Sequence, residues 1–395
     1  MSAGAGNAIG QLTELTMPFI VRYALIVLVL GQLTQLKADD NARAPRQRRL
    51  LYNLDGDSCM FLKKGSIGPT EVRADDLKTI VAEIAGPGSQ VDTLLLCINA
   101  QCTYYPSKVG TMRDTLIEPQ HFKDLPASEQ QRYHNVAAMF SRGIDPYAVL
   151  LAEAKQRGLE ALLSYRMNDA HGANFLYCKL WLDHPEYRLG AGLDFAQEPV
   201  REYTFQIVQE AVQRYDCDGI ELDFNRFPNY FQKSAQAVGI VKINDIVYRV
   251  RQMLDAEGQK RGRHLVLGVR VPTSYQECLT IGLDPVLWAE KNWIDFLTVS
   301  EFLFTRYDLP VKPWKEQIKQ VPIYASIEGS EKNAAGPSMT AAKYRQAARH
   351  LSNEGVDGIY LFNFFTAREW GPQASEPPFE VLNDLGAVNL LHGSN

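Results

Sequence analysis

Eight short apolar runs, most of them separated by amphipathic segments, constrain the fold of this chain more than any other feature. The runs cover residues 50–57, 91–100, 159–169, 217–225, 264–272, 294–302, 321–329 and 356–365. Helical patterns lie between most of them, at residues 71–85, 146–157, 199–214, 238–258, 283–291, 311–319 and 339–353. Such alternation predicts an α/β protein with one parallel sheet, and eight strands predict a single (β/α)8 TIM barrel. An open doubly wound sheet is the alternative, but no glycine-rich loop follows the first run.

Two connections are much longer than the others. Residues 101–145 follow the second predicted strand, and residues 168–198 include the polar segment after the third. Both leave the carboxyl ends of their strands, which is the face where barrels carry their functional residues. Long loops at that face are typical of a substrate cleft.

The N-terminal region has the pattern of a targeting segment. Residues 18–36 are the most apolar stretch, but Arg22 divides it, so it suits a signal peptide better than a membrane-spanning helix. We predict a signal peptide or N-terminal anchor over residues 1–38, with Met17 as an alternative start. A basic linker at 39–48 and a barrel domain at 49–395 follow. The chain is therefore expected to be secreted or periplasmic, with membrane contact only through an uncleaved N-terminal segment.

Composition excludes several other classes of protein. The formal net charge is −5 and no stripe of Lys and Arg is present, so nothing indicates nucleic-acid binding. Six cysteines in 395 residues are too few for a disulfide scaffold, and Cys97 and Cys217 are expected to be buried. We expect no cofactor, and the sequence carries no signal for an oligomeric state.

The fourth predicted strand places carboxylates inside the barrel. Side chains alternate along a strand, so Glu221, Asp223 and Asn225 share one face, and the apolar residues between them face the helices. An ionised carboxylate inside a barrel is costly unless it is paired. Arg166 in strand 3 and Arg270 in strand 5 are the expected partners of Glu221 or Asp223.

Further polar residues end the other strands. Glu301 and Glu328 end strands 6 and 7. Two carboxylates at such a rim match the needs of glycoside hydrolysis, in which one protonates the leaving oxygen and the other acts as nucleophile or base. Side chains that would bind sugar hydroxyls are Asn53, Asp55, Arg166, Asn168, Asp169, His171, Asn225, Arg270 and Asn363. Aromatic rings that could stack on sugars are Tyr104, Tyr105, Trp181 and Trp370.

One segment resembles a known family. Residues 215–228 contain the order Asp-Gly-Ile-x-x-Asp-x-x-Arg-x-Pro, which resembles the strand-4 signature of the glycoside hydrolase family 10-like barrels. Residues 166–171, 184–186 and 362–363 are also similar to that group. The resemblance spans about residues 48–385 and implies a carbohydrate-active barrel with Asp223 as a catalytic carboxylate. Related sugar-cleaving barrels would place the second carboxylate on strand 7, at Glu328, or on strand 6, at Glu301.

The sequence therefore predicts a glycoside hydrolase that cleaves a poly- or oligosaccharide. Asp223 would be nucleophile or base, and Glu328 or Glu301 the proton donor. Arg166, Arg226 and Arg270 would also suit an anionic glycan, although pairing with carboxylates explains them equally well.

Three alternatives stay open at this point. One is a carbohydrate-binding barrel without catalysis, and the second is another barrel enzyme such as a lyase. The third is a metal-dependent hydrolase that uses His171, His184 and Asp169. A structural calcium site at Asp55 and Asp57 is a separate hypothesis. A second carboxylate within about 10 Å of Asp223 distinguishes the hydrolase from the other readings.

Overall fold

Eight parallel strands close into a barrel in the computed structural model, which describes residues 48, 50–62, 71–117, 119–233 and 236–386. The closed sheet runs β1-β8-β7-β6-β5-β4-β3-β2, so consecutive strands are neighbours and the last strand pairs with the first. The strands are β1 (Leu50–Leu54), β2 (Thr93–Cys97), β3 (Glu160–Arg166), β4 (Gly219–Asp223), β5 (Val266–Val271), β6 (Phe296–Val299), β7 (Ile323–Glu328) and β8 (Gly358–Phe362). The predicted (β/α)8 fold is confirmed.

Helices surround the barrel in the order that the sequence predicts, with additional helices in the loops. They are α1 (Ala74–Ile84), α2 (Ala127–Ser141), α3 (Pro146–Gln156), α4 (Lys179–Asp183), α5 (Glu198–Arg214), α6 (Gln236–Arg261), α7 (Tyr275–Thr280), α8 (Pro285–Glu290), α9 (Val311–Gln317) and α10 (Ala341–Asn353). Helices α3 and α8 begin at a proline, where the missing N–H needs no acceptor, and Asp145 and Asp284 cap them. Helix α2 lies within the segment predicted as a loop, because its buried face includes polar residues that hide the apolar period.

Apolar side chains form two layers, one on each side of the sheet. The outer layer packs strands against helices and includes Ile220, Leu222 and Phe224 of β4. The inner layer fills the barrel with Leu51, Leu95, Leu162, Val266, Phe296, Tyr324, Tyr360 and Phe362. Gly268 makes room for one of these rings, because a Cβ there would lie 2.0 Å from Phe296. The alternation predicted for β4 is confirmed.

The N-terminal end of the barrel is closed by Arg48. Its guanidinium binds Glu160 at the start of β3, with 2.7 Å between Nη2 and Oε1, and lies 5.0 Å from the centre of the Phe296 ring. Arg48 is only 2% exposed, so a residue that we assigned to the basic linker packs as part of the barrel. The predicted signal segment at 1–38 and residues 39–47 lie outside the described residues.

Two further properties bear on the expectations from composition. All six cysteines are free and buried, which matches a chain without a disulfide scaffold. Among the described residues, no helix combines the length and apolar character needed to cross a membrane.

Candidate active site

A carboxylate–guanidinium cluster lies at the carboxyl ends of β4, β5 and β7. Arg270 donates from Nε to Asp223 Oδ1 at 3.0 Å and from Nη2 to Asp223 Oδ2 at 3.1 Å. The third nitrogen, Nη1, lies 3.5 Å from Glu328 Oε1. The guanidinium also lies 3.7 Å from the centre of the Phe362 ring. Asp223 and Arg270 are paired residues of neighbouring strands, so the expected partnership between them is present.

Asp223 is held in one orientation. Besides the two bonds from Arg270, Oδ1 accepts the backbone N–H groups of Asn225 at 2.9 Å and Arg226 at 3.0 Å. Asp223, Arg270 and Glu328 are each about 1% exposed. The carboxylate therefore lies at the floor of the site rather than at its open edge.

Glu328 lies in a different electrostatic environment. Burial raises the pKa of this carboxyl to about 7, although the charges of Arg270 and Arg226 oppose the shift. Asn363 donates its amide to Glu328 Oε2 at 3.1 Å. The backbone of Glu328 is fixed by Thr305, whose hydroxyl accepts its N–H at 3.0 Å and donates to its carbonyl at 2.7 Å. A carboxyl that titrates near neutrality can serve as a proton donor or acceptor.

The shared guanidinium sets the distance between the two carboxyl groups. Oxygens that lie 3.0 Å and 3.5 Å from nitrogens of one guanidinium are less than about 9 Å apart. Glycosidase carboxylate pairs are separated by roughly 5–9.5 Å, depending on their stereochemistry. The pair Asp223 and Glu328 therefore meets the geometric condition set from the sequence.

Glu301 lies apart from this cluster. Its Oε1 accepts the backbone N–H of Phe302 at 2.9 Å, and its Oε2 is 3.6 Å from Arg306 Nη1. The side chain lines a surface depression of about 750 Å³ formed by the segments after β6 and β7. Thr305, which anchors Glu328, lines the same depression, so the two carboxylates are on opposite sides of this segment.

A second polar cluster lies at the ends of β1 and β3. Arg166 Nη2 binds Asp55 Oδ2 at 2.9 Å, and Arg166 Nη1 is 3.6 Å from Asp169 Oδ2. Asp169 Oδ1 lies 2.6 Å from Nδ1 of His171. Burial disfavours the Asp169 carboxylate, but the bond from His171 and the charge of Arg166 lower its pKa below the usual range.

The expectation that Arg166 pairs with Glu221 or Asp223 is wrong. The charge partner of Arg166 is Asp55, because the oxygens of Asp223 already accept four bonds from Arg270 and the backbone. Glu221 instead forms neutral hydrogen bonds inside the barrel. Its Oε1 accepts from the hydroxyls of Ser164 at 2.9 Å and Tyr360 at 2.8 Å.

Burial and the nearby charge of Asp223 raise the pKa of Glu221 to about 7. Its Oε2 is buried without a hydrogen-bond partner in the described part of the chain. Glu221 therefore lies in a polar layer directly below the candidate site, where the neutral acid is favoured.

Three predicted sugar-binding amides use their hydrogen bonds within the protein. Asn168 donates to the carbonyls of Leu193 and Asn229, and its oxygen accepts the N–H of Leu193. Asn225 donates to the carbonyl of Ser300 at 3.1 Å. Asn53 donates to the Tyr360 hydroxyl at 2.8 Å. These amides hold loops and the barrel interior in place.

The sequence did not single out Arg226 among the sugar-binding residues, although it carries the arginine of the strand-4 motif. Its Nη2 lies 2.8 Å from Nε2 of His171, and its guanidinium lies 5.3 Å from the centre of the Phe227 ring. The His171 ring in turn contacts Phe227, with 4.9 Å between ring centres. Phe227 has a left-handed backbone with φ of 54°, and Asn363 has φ of 53°. Strained backbone of this kind is concentrated at functional sites.

The four aromatic residues considered for sugar stacking differ in exposure. Tyr104 and Tyr105 are buried in the outer core, so the stacking expectation is wrong for them. Trp181 stacks on Tyr177 at 3.7 Å and has Arg188 3.9 Å from its ring centre. Trp370 is 50% exposed and follows β8.

The metal hypotheses receive no assembled ligand set within the part of the chain that the structure describes. His184 pairs with Glu186 at 2.9 Å, and Asp169 faces His171 and Arg166. At the proposed calcium position, Asp57 binds both Arg113 and Arg132, and Asp55 binds Arg166. Each of these carboxylates therefore already faces a positive charge.

Comparisons with known proteins place the fold among carbohydrate-active barrels. No protein-family model and no curated protein sequence matches the chain. The solved structure of alpha-L-fucosidase isoenzyme 2 from Paenibacillus thiaminolyticus is similar, with a TM-score of 0.50, 13% identity and coverage of 87% of this chain. This chain spans about half of that fucosidase, 49% of its length. The likeness is one of fold.

Further structural neighbours are also sugar-cleaving enzymes by their names. A group IV chitinase from Ostrinia furnacalis has a TM-score of 0.49 and 12% identity, and covers 88% of this chain and 100% of its own. A maltogenic alpha-amylase from Thermotoga neapolitana has a TM-score of 0.48 and 12% identity, and covers 87% of this chain and 76% of its own.

Proposed function

We propose that this protein is a glycoside hydrolase that cleaves a poly- or oligosaccharide at the carboxyl end of its barrel. The observation that carries the proposal is the pair Asp223 and Glu328, two buried carboxyl groups in contact with one guanidinium. The similarity to a structure named an alpha-L-fucosidase is in line with this assignment. The proposal retains the resemblance to the family 10-like barrels and export through residues 1–38.

In this proposal Glu328 is the proton donor. Its raised pKa, about 7, keeps a substantial fraction protonated at neutral pH, which a general acid requires. Asn363, which binds Oε2, would fix the direction of the carboxyl group and contact a sugar hydroxyl. Asp55, Asp169 and His171 would bind hydroxyls on the opposite side of the rim.

Asp223 is the second carboxylate, acting as nucleophile or as base for a water molecule. Arg270 keeps it ionised beside Glu328, so one group of the pair is charged while the other carries a proton. The anomeric form of the first product distinguishes the two roles, because a nucleophile gives retention and a base gives inversion.

The test is cleavage of a panel of polysaccharides by the wild type, Glu328→Gln and Glu316→Gln. We expect Glu328→Gln to lose at least about 100-fold in kcat/KM, because glutamine cannot transfer the proton. Glu316 is an exposed residue of α9, so Glu316→Gln is a matched control that should keep full activity. NMR of the first product gives the anomer. Unchanged cleavage by Glu328→Gln would refute the proposed role of this residue.

A second candidate function is carbohydrate binding without catalysis. The observation that favours it is the 1% exposure of Asp223, Arg270 and Glu328, which suits an ion-pair layer that fills the barrel. This function predicts glycan binding by the wild type without any release of reducing ends over days. Release of reducing ends that Glu328→Gln abolishes decides for the hydrolase.

A further inference from the structure

Arg226 differs from every other buried arginine in the described part of the chain. Eight arginines are buried there, and seven of them form an ion pair with Asp or Glu. Arg48, Arg166 and Arg270 show the pattern inside the barrel, with Glu160, Asp55 and Asp223 as their partners. Arg226 has no carboxylate within ion-pair distance among the described residues.

The neighbours of Arg226 do not replace a counter-ion. His171 accepts one bond through Nε2, which requires its Nδ1 to carry the proton that faces Asp169. Nε and Nη1 of Arg226 are buried and have no acceptor in the described chain. A buried guanidinium that lacks both a counter-charge and acceptors is destabilising unless another group supplies them.

The surrounding charges act in the same direction. Burial and the nearby Arg166 lower the pKa of Arg226, while Asp169, Asp55 and Glu328 only partly oppose this. Asp55 is bound to Arg166, Asp169 to His171, and Glu328 to Asn363. None of these carboxylates is available to move onto Arg226 without breaking its own contact.

The position of Arg226 joins the two clusters of the candidate site. It follows β4 directly and donates its backbone N–H to Asp223, while its side chain contacts His171 of the second cluster. His171 and Phe227, which touch the guanidinium, are partly exposed. A ligand that enters between the clusters therefore meets Arg226 beside Asp223.

We propose that Arg226 binds an anionic group of the glycan, either the carboxylate of a uronic acid or a sulfate ester. Both groups present oxygen acceptors with negative charge, for which a guanidinium is the preferred partner. The inference rests on the proposed function only in placing a glycan at this end of the barrel. It does not require that the glycan is cleaved.

The test measures binding, so that cleavage is a separate readout. Glu328→Gln serves as the parent for the binding measurements, which limits turnover of the ligands. Calorimetry compares three probes: an oligogalacturonate for the carboxylate, a carrageenan oligosaccharide for the sulfate, and the carboxyl-reduced oligogalacturonate as the neutral match. Each probe is titrated into the parent and into versions that also carry Arg226→Gln, Arg226→Lys or Arg263→Gln. Arg263 lies before β5 and is the matched surface control.

We expect one acidic probe to bind at least about tenfold more tightly than the neutral probe, and Arg226→Gln to remove this preference. Arg226→Lys should retain part of it, and Arg263→Gln all of it. Arg226→Gln should also unfold at the same or a higher urea concentration, because it removes a buried charge that lacks a counter-ion.

Three results overturn the inference: equal binding of acidic and neutral probes, no binding of either acidic probe, or an acid preference that survives Arg226→Gln. The fate of the proposed function is read separately. Acid-selective binding with no cleavage by the wild type supports the role of Arg226 and refutes the hydrolase. Cleavage restricted to neutral glycans supports the hydrolase and refutes the role of Arg226.

Discussion

Replacing Arg270 with methionine tests whether the carboxylate–guanidinium cluster is the electrostatic centre of this barrel. Methionine fills part of the space of the arginine stem but leaves Asp223 buried without its two strongest donors. Removing one partner of a buried ion pair costs about 3–5 kcal/mol. The loss of the contact with Phe362, at 3.7 Å, adds to this. We therefore expect Arg270→Met to lower the free energy of unfolding by about 4 kcal/mol or more at pH 7.5.

The assay is urea unfolding of a double-mutant cycle with Arg270→Met, Asp223→Asn and the double variant. Asp223→Asn alone also destabilises, because it breaks the same pair, so its loss of activity cannot be separated from a loss of stability. The double variant should lose less than the sum of the single losses, by about 1–3 kcal/mol. Lys78→Met is the control, since Lys78 and Asp75 are exposed and their ion pair contributes less than about 1 kcal/mol.

The pH dependence separates charge from packing. In Arg270→Met the buried Asp223 has no cationic partner, so its folded-state pKa rises above the unfolded value of about 3.9. A carboxyl whose pKa is raised by folding destabilises the protein above the unfolded pKa, and the penalty disappears as the pH falls towards it. The difference from the wild type should therefore shrink between pH 7.5 and pH 5. Additive single losses together with a pH-independent difference would refute the reasoning.

Other variants and conditions probe the same physics. Glu221 and Glu328 both have a pKa of about 7 in the folded protein. Glu221→Gln should therefore gain stability relative to the wild type as the pH rises from 5 to 8, by up to about 3 kcal/mol, as urea unfolding at several pH values will show. The kcat/KM for glycan cleavage should fall above about pH 7, because Glu328 must be protonated to act, and a flat pH–rate profile contradicts that role. Arg48→Met should cost about 3–5 kcal/mol by breaking its buried pair with Glu160, whereas a residue of a solvated linker would cost almost nothing in the same unfolding assay.

The barrel could be predicted from the sequence because its strongest determinants are local. Buried parallel strands are continuous apolar runs, and eight of them alternating with helices leave few topologies. The inward direction of Glu221 and Asp223 followed from the two-residue period of β4 alone. Helix α2 was missed because its buried face includes Gln131, Arg132 and Asn135, whose contacts depend on the tertiary structure.

The same two-residue period contained information about the second carboxylate. Glu328 shares a face of β7 with Ser326 and lies two residues beyond it, and it reaches Arg270. Glu301 shares a face with Val299, which packs in the outer core, so alternation already directs Glu301 away from the barrel axis. Ser300, between them, points inward and accepts a bond from Arg270 at 2.8 Å. The face assignment therefore separates the two candidates before any distance is measured.

The pairing of the arginines could not be read from strand order. Arg166 and Arg270 lie on the two strands that flank β4, and either could reach Asp223. Arg270 stacks on Phe362 while it binds Asp223, and the backbone of residues 225 and 226 takes the remaining acceptor positions. Arg166 is thereby left to Asp55 on the far side of the rim.

The outcome for Arg226 follows from these pairings. Each carboxylate that surrounds it is bound to another group, and only the complete set of contacts reveals that one buried guanidinium lacks a counter-ion. A net charge of −5 for the whole chain gives no hint of this local imbalance. Since an unpaired buried cation lowers stability, its presence beside Asp223 is more economically explained by an anion that arrives with the ligand than by the packing of the barrel alone.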